Sequence, residues 1–315
     1  MSVYTDAASR PGLKSGGSDP DELFLTEFGE LVLTAYLESL DYQSLVWSRT
    51  ITQGKADSFP IIGRKRSASE HAAGEIILGG TVEHNEVVIT VDPPLVDSVF
   101  IADYDELRLH YDLQGPYATQ LGQSIGVAET KRIAQMHILA SRNVTPPYTD
   151  APVPSYYYHA NIATDASKLE EAYFAAKQHI EENNITKGGL EGRLPWQQYL
   201  LAARYVGIEG NPVTTGSGNR STGTIGLMAG IPTTPTNHIP QENIVTGNAK
   251  YQGNFTTTIG HISTRMAVGQ LNLRGLRVTV TPKEDRLGTL LIAHKISGLG
   301  KLRSECAFEL ASASR

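Results

Sequence analysis

Between Asp103 and Arg142 the chain reads DYDELRLHYDLQGPYATQLGQSIGVAETKRIAQMHILASR, and this stretch constrains the fold more than any other. Gly115-Pro116 punctuates it. Proline suits a first helical position, because its fixed φ fits the helix and its missing N–H has no partner to lose there. The pattern predicts a helix from about Pro116 to about Ser141, a rod of roughly 40 Å against the usual helix of about 11 residues. Ala118, Leu121, Ile125, Ala128, Ile133, Met136, Leu139 and Ala140 fall on one apolar stripe, with Gln123, Glu129, Lys131 and Gln135 largely off it. One packed face and a wet remainder are expected. Pro146-Pro147 opposes any continuation as helix.

A chain of 315 residues can bury a large core, in one domain or two. Its 40% hydrophobic content, 30 Gly and 16 Pro point to many turns and long connections. The formal net charge of −6 provides no global positive field to grip nucleic acid, which needs clustered Lys and Arg. The lone Cys306 excludes an intrachain disulfide and a multi-cysteine zinc site, and fits a reducing compartment. The first 22 residues show neither a basic nor an apolar signal region, and no run of about 18 apolar residues occurs, so a soluble, unsecreted protein is expected. The Asn-x-Ser/Thr triplets at Asn143, Asn184, Asn219 and Asn254 then carry no glycosylation message.

Residues 1 to about 20 are polar and rich in Ser, Gly and Pro, which predicts a flexible arm. A first helix should follow to about Leu40, on Leu23, Phe24, Leu25, Phe28, Leu31, Val32, Ala35 and Leu37. Two β-rich runs, Val46 to Thr52 and Glu86 to Val91, flank about 30 residues of small, polar and charged types, too many for a hairpin turn of two to five. Arg64-Lys65-Arg66 makes the middle of that loop positive. It reads either as a solvated surface loop or as an arm reaching a partner with acidic groups. Val144 to Tyr158 is a Pro- and Tyr-rich connector, after which Asp165 or Ser167 caps a helix with Leu169, Ala172, Tyr173, Ala176 and Ile180 on its stripe. A shorter helix is expected at Trp196 to Tyr205, loops from Gly207 to Phe255, and strands at 256–262, 266–273, 276–281, 287–294 and 306–310. The class is α+β with an inserted second module.

Catalytic chemistry finds little support. Gly122-Gln123-Ser124-Ile125-Gly126 matches the nucleophile elbow of serine hydrolases, but that elbow needs a strand ending at the Ser and a helix starting after it. Here Ala118, Leu121 and Ile125 put Ser124 inside a helix, where small residues let another backbone approach. Gly216 to Gly223 lacks the Lys of a phosphate-binding loop. The nine His show no metal-binding spacing, and Glu170-Glu171 and Glu181-Glu182 read as a solvated helix face. No catalytic residue, metal ligand or cofactor site is expected.

Three ordered segments carry a resemblance: SRTITQGKADSFPIIGR at 48–64, AAGE at 72–75, and VVITVDPPLVDSVFIADYDELRLHYDLQGPYATQLGQSIG at 87–126. With ELFLTEFGELVLTAY at 22–36 and, more weakly, LLIAHKISGLGKLRSE at 290–305, the chain resembles the major capsid proteins of short-tailed phages of the T-seven type. The match is thin from 150 to 255.

That resemblance implies the Hong Kong 97-type capsid fold, with an N-terminal arm, an extended loop, a peripheral domain on a long spine helix, and an axial domain. Mapped here, 1–45 is the arm and its helix, 46–91 the extended loop, 92–148 with 276–298 the peripheral domain, and 149–275 with 299–315 the axial domain. It implies a head protein that self-assembles into hexamers and pentamers of an icosahedral shell in the host bacterial cytoplasm. A scaffolding protein and a portal would be its assembly partners, and the virion shell would enclose double-stranded DNA without binding it specifically. An encapsulin-like compartment shares the fold, and a serine hydrolase using Ser124 is a reading from another class. The charge contrast suggests that Lys55, Arg64, Lys65 and Arg66 dock the extended loop on a neighbour's Asp103, Asp105 and Glu106.

Overall fold

The computed structural model of the chain describes residues 30–37, 39–63, 68, 70–71, 73–74, 76–77, 79–102, 114–145, 147–149, 151–185, 188–208, 223, 225 and 227–314. The described residues belong to two compact units, one drawn from Met1–Leu40, Pro93–Ala128 and Arg274–Ile296, the other from Asp41–Asp92, Glu129–Leu273 and Ser297–Arg315.

The first unit packs two helices on a sheet. A short helix, 30–37 (α1), buries Val32, Ala35 and Tyr36, the i, i+3, i+4 spacing of one helical face. The long helix Gln114–Ser141 (α2) starts two residues before the Pro116 that the sequence put first. The strand Leu95–Ala102 pairs antiparallel with Gly288–Lys301, from Gly288 opposite Ala102 to Lys295 opposite Leu95, and Gly288–Lys301 adjoins Val268–Lys283. Leu276, Val278, Val280, Leu291, Ala293, Val99 and Ile101 supply the apolar face on which Ala118, Leu121 and Ile125 of α2 and Val32 and Tyr36 of α1 pack.

Gly122 and Gly126 explain how α1 gets so close to α2. A Cβ on Gly122 would stand 2.3 Å from the Val32 carbonyl oxygen, and one on Gly126 1.7 Å from Ser39 Oγ. The glycines cost about 1 kcal/mol each of helix propensity, which the backbone approach offsets. Lys295 Nζ closes the arrangement, donating to Tyr36 Oη at 2.5 Å and lying 5.0 Å from the centre of its ring. Ser124, expected among the small residues of that contact, is instead exposed, because it projects from the opposite side of the helix. It stands well inside α2, with no strand ending at it.

The second unit is layered around a six-stranded mixed sheet. In chain order, β1 is Val46–Thr50, β2 Ala56–Ile62, β3 His84–Thr90, β4 the Leu95–Ala102 strand of the first unit, β5 Ser155–Tyr158, β6 Glu191–Leu194, β7 Leu227–Met228, β8 Ile231–Pro235, β9 Asn243–Ile244, β10 Gly253–Asn254, β11 Thr258–Ser263, β12 Val268–Lys283, β13 Gly288–Lys301 and β14 Ala307–Ala311. The sheet runs β5-β14-β11-β6-β8-β7.

Strand alternation sorts its two faces. Gly192 and Leu194 of β6 lie toward α3, Ala166–Glu182, and α4, Trp196–Ile208, which with Ile262, Phe308 and Leu310 enclose one core. The intervening Arg193, and His261 opposite it, lie on the other face, toward the second half of α2. There Ile133, Ala134, Met136 and Ala140 pack with Val268, Leu299, Cys306 and Ala307. Asp165 caps α3 as its position suggested, accepting from the Ser167 N–H at 2.9 Å, and all five stripe residues of α3 are buried.

Several elements differ from expectation. In the second half of α2 the wet face narrows to Lys131, which is exposed, and Gln135, which is half-buried, while Glu129, Thr130, His137 and Ser141 are buried along with its apolar residues. Glu129 escapes an unpaired burial by accepting from Gln270 Nε2. The strands expected at 266–273 and 276–281 are one continuous strand, β12, because nothing at Arg274-Gly275 interrupts its pairing geometry. The long polar loop after β1 contains β2, and the Pro- and Tyr-rich connector ends in β5. Strands β4 and β6 fall where no element was expected.

Candidate assembly surface

β2 and β3 form an antiparallel ribbon of seven residue pairs, from Ala56 opposite Thr90 to Ile62 opposite His84. With no third strand among the described residues, the ribbon depends on what its inner face touches, since a lone two-stranded hairpin is marginal in water. Alternation sends Phe59 and Ile89 inward, where they pack with Leu271 and Leu302. Arg49 of β1 binds the start of β2 through one nitrogen, which donates to Asp57 Oδ2 at 2.9 Å and to the Ser58 carbonyl at 2.8 Å. Its guanidinium also sits 4.7 Å from the centre of the Phe59 ring. The hydrogen bond from Arg49 holds the Asp57 carboxyl below its ordinary pKa.

The far end of β2 is fixed as well: Arg303 donates to the Ile62 carbonyl at 2.7 Å and Asn85 Nδ2 to the Pro147 carbonyl at 2.6 Å. Where the chain leaves β3, the buried Asp92 accepts from Tyr251 Oη, from Lys250 Nζ at 3.3 Å and from Asn248 Nδ2 at 3.4 Å. Burial and the neighbouring Asp92 carboxylate push the Tyr251 phenol above its ordinary pKa, so it stays a donor.

The outer face of the ribbon is left open. Ile62 and Val88 are 55% and 57% exposed, flanked by the exposed Pro60, His84 and Glu86. In the segment joining the strands, Ile76 and Ile77 reach 85% and 79%, values that an apolar side chain holds in water only at a cost. This apolar tip is a feature that the sequence reading, attending to Arg64-Lys65-Arg66, passed over; the dipeptide between Gly74 and Gly79 was its signal. Of the charged residues expected to dock the loop, Lys55 lies exposed just before β2, its carbonyl accepting from the Val91 N–H at 2.8 Å. Arg64, Lys65, Arg66, Asp103, Asp105 and Glu106 lie outside the described residues.

A ribbon anchored on one face and bare on the other, and a long helix packed on a sheet, occur in a fold shared with phage capsid subunits of the Hong Kong 97 type. Solved structures show that likeness. The capsid of cyanophage P-SCSP1u matches with a TM-score of 0.79 at 30% identity, covering 100% of both chains. The mature capsid of bacteriophage PhiM1 matches with a TM-score of 0.72 at 12% identity, covering 88% of each, which speaks to the fold alone. Residues 58–311 match the Gp10A-like major capsid protein family, and the chain belongs to that family. The major capsid protein of Escherichia phage T7 is 38% identical over 108 residues, a stretch spanning 34% of this chain and 31% of that relative. Among the described residues no helix is long and apolar enough to cross a membrane.

Proposed function

We propose that the chain is the repeated subunit of an icosahedral phage head, assembling with copies of itself into hexamers and pentamers around double-stranded DNA. The single observation that carries this reading is the one-sided ribbon, bound inward by Phe59, Ile89, Arg49 and Arg303 and bare outward at Ile62, Ile76, Ile77 and Val88. A surface of that kind gains free energy only when another chain covers it. Assignment of 1–45 as arm, 46–91 as extended loop, 92–148 with 276–298 as peripheral domain and 149–275 with 299–315 as axial domain is part of the same proposal. So are a scaffolding protein and portal as assembly partners, and assembly in the host bacterial cytoplasm. The negative net charge supports a container whose wall does not bind its cargo tightly.

Charge contributes registry. Lys55, Arg64, Lys65 and Arg66 meet Asp103, Asp105 and Glu106 of a neighbouring copy, each exposed pair contributing about 0 to 1 kcal/mol and steering more than holding. Reversal of Arg64, Lys65 and Arg66 to Glu should give folded subunits that do not close into shells; normal shells would refute the docking. Particles treated with nuclease should retain protected double-stranded DNA. A protein cargo with no DNA would replace the phage head by an encapsulin-like compartment.

A further inference from the structure

Inside the second unit, between α2 and the sheet, lie two buried histidines. His137 of α2 and His261 of β11 are fully buried and stack with ring centres 5.2 Å apart and planes within 4°. Tyr42, from the turn leading into β1, covers the stack and is also fully buried, its hydroxyl 3.0 Å from His261 Nε2. Ser263 Oγ lies 3.3 Å from His261 Nδ1. Neither ring nitrogen of His137 makes a hydrogen bond of ordinary geometry, and the backbone acceptor that bears on it is the Leu45 carbonyl.

The charged side chains on the pair's face of the sheet are Arg193 and two carboxylates, Glu191 and Glu309, and each carboxylate is held by an arginine: Glu309, opposite His261 on β14 and fully buried, accepts from Arg142 at 2.6 Å. The Arg193 guanidinium lies 5.1 Å from the centre of the Tyr42 ring and acts unfavourably on both imidazoles when they are protonated. The carboxylate beside it, Glu191, is engaged in the 2.9 Å ion pair with Arg193 itself. Asp41, on the turn, bears on Tyr42 rather than on the histidines. A proton on either ring would therefore place a cation against a second imidazole and a guanidinium, with the carboxylates on that face already neutralised by Arg142 and Arg193.

We propose that the His137–His261 stack is an acid-operated latch, which holds the Tyr42 turn, α2 and β11 together while both rings are neutral and releases them when the rings take up protons. The latch stands on the geometry of this unit and is independent of the capsid reading. Burial supports it by pushing the His137 imidazole down to about 3 and His261 well below its ordinary value. Once the segment opens, each ring regains its ordinary affinity near pH 6.5 and binds a proton, so opening consumes two protons.

Hydrogen exchange of the intact chain tests the latch, with each rate corrected for intrinsic exchange at its pH. In residues 41–46, 130–141 and 258–263, the opening constant should rise about a hundredfold per pH unit once the pH is below about 6, tenfold for each of two protons. The double substitution His137→Phe with His261→Gln keeps an aromatic ring beside Tyr42 and a hydrogen-bond partner for its hydroxyl but no titrating ring. It should abolish that slope, and an unchanged slope would overturn the proposal. Should the variant fail to fold, imidazole NMR of the unmodified protein decides. Both resonances should stay constant from pH 8 to pH 5 in the closed state, and titration of both rings near pH 6.5 would overturn it.

Discussion

The two halves of α2 solve one problem in opposite ways. From Gln114 to Ala128 the helix meets α1 through its backbone: Gly122 and Gly126 remove side chains so that the Val32 carbonyl and Ser39 can approach, while Gln123 and Ser124 stay in water. From Glu129 to Ser141 it meets its surroundings through side chains, and Ile133, Met136, Ile138, His137 and Glu129 are buried on several sides of the helix. The first half is specified by what is missing, the second by volume and by hydrogen bonds to buried polar groups. One helix thus combines a contact that fails when atoms are added with one that fails when atoms are removed.

Substitutions can break that contrast. The largest effect is expected from Met136→Ala, which removes a fully buried side chain and should cost about 2 to 5 kcal/mol in denaturant unfolding, because a close-packed core refills a cavity only in part. Gly122→Ala should cost less, about 1 to 3 kcal/mol, through overpacking against α1. Its signature should be faster hydrogen exchange in 30–37, with 130–141 still protected. Equal loss of protection in both segments would mean that the halves are not packed independently.

Next comes acid. A histidine whose folded pKa is depressed weakens the fold as pH drops below its unfolded value, so stability should be flat above about pH 6.5 and fall between there and about pH 3, by up to about 1.4 kcal/mol per pH unit for His137. Urea midpoints at pH 7, 6 and 5 measure this, and His137→Phe should make the fall shallower, leaving the part that His261 contributes. Ser124→Ala should be the smallest change, within about 0.5 kcal/mol, since the side chain is exposed.

The same contrast explains what the sequence made legible. The stripe of Ala118, Leu121 and Ile125 was visible because its neighbours Gln123 and Ser124 are wet, and the α3 cap was visible because Asp165 and Ser167 act locally. Glu129 reads as off the core, since its burial depends on Gln270, more than 120 residues away in sequence, and nothing local marks the burial of His137 against the similarly distant His261. Strand β6 escaped notice because Glu-Gly-Arg-Leu has no β-branched residue, and its pairing comes from β8 and β11 on either side. In the ribbon, Asp57, Ser58 and Pro60 disguised β2 as loop, although β3 and Arg49 supply its partners. The charged cluster at Arg64 drew attention away from Ile76 and Ile77, whose significance lies in exposure, a property of the fold.

The central claim is that this chain builds a closed shell from copies of itself, with the bare face of the ribbon against a neighbour. Electron microscopy of the protein expressed together with its neighbouring genes tests it most directly. The account predicts icosahedral particles in whose density Ile62, Ile76 and Val88 are covered by an adjacent copy. Folded chains that remain dispersed at every concentration, or shells in which those side chains still face solvent, would contradict it.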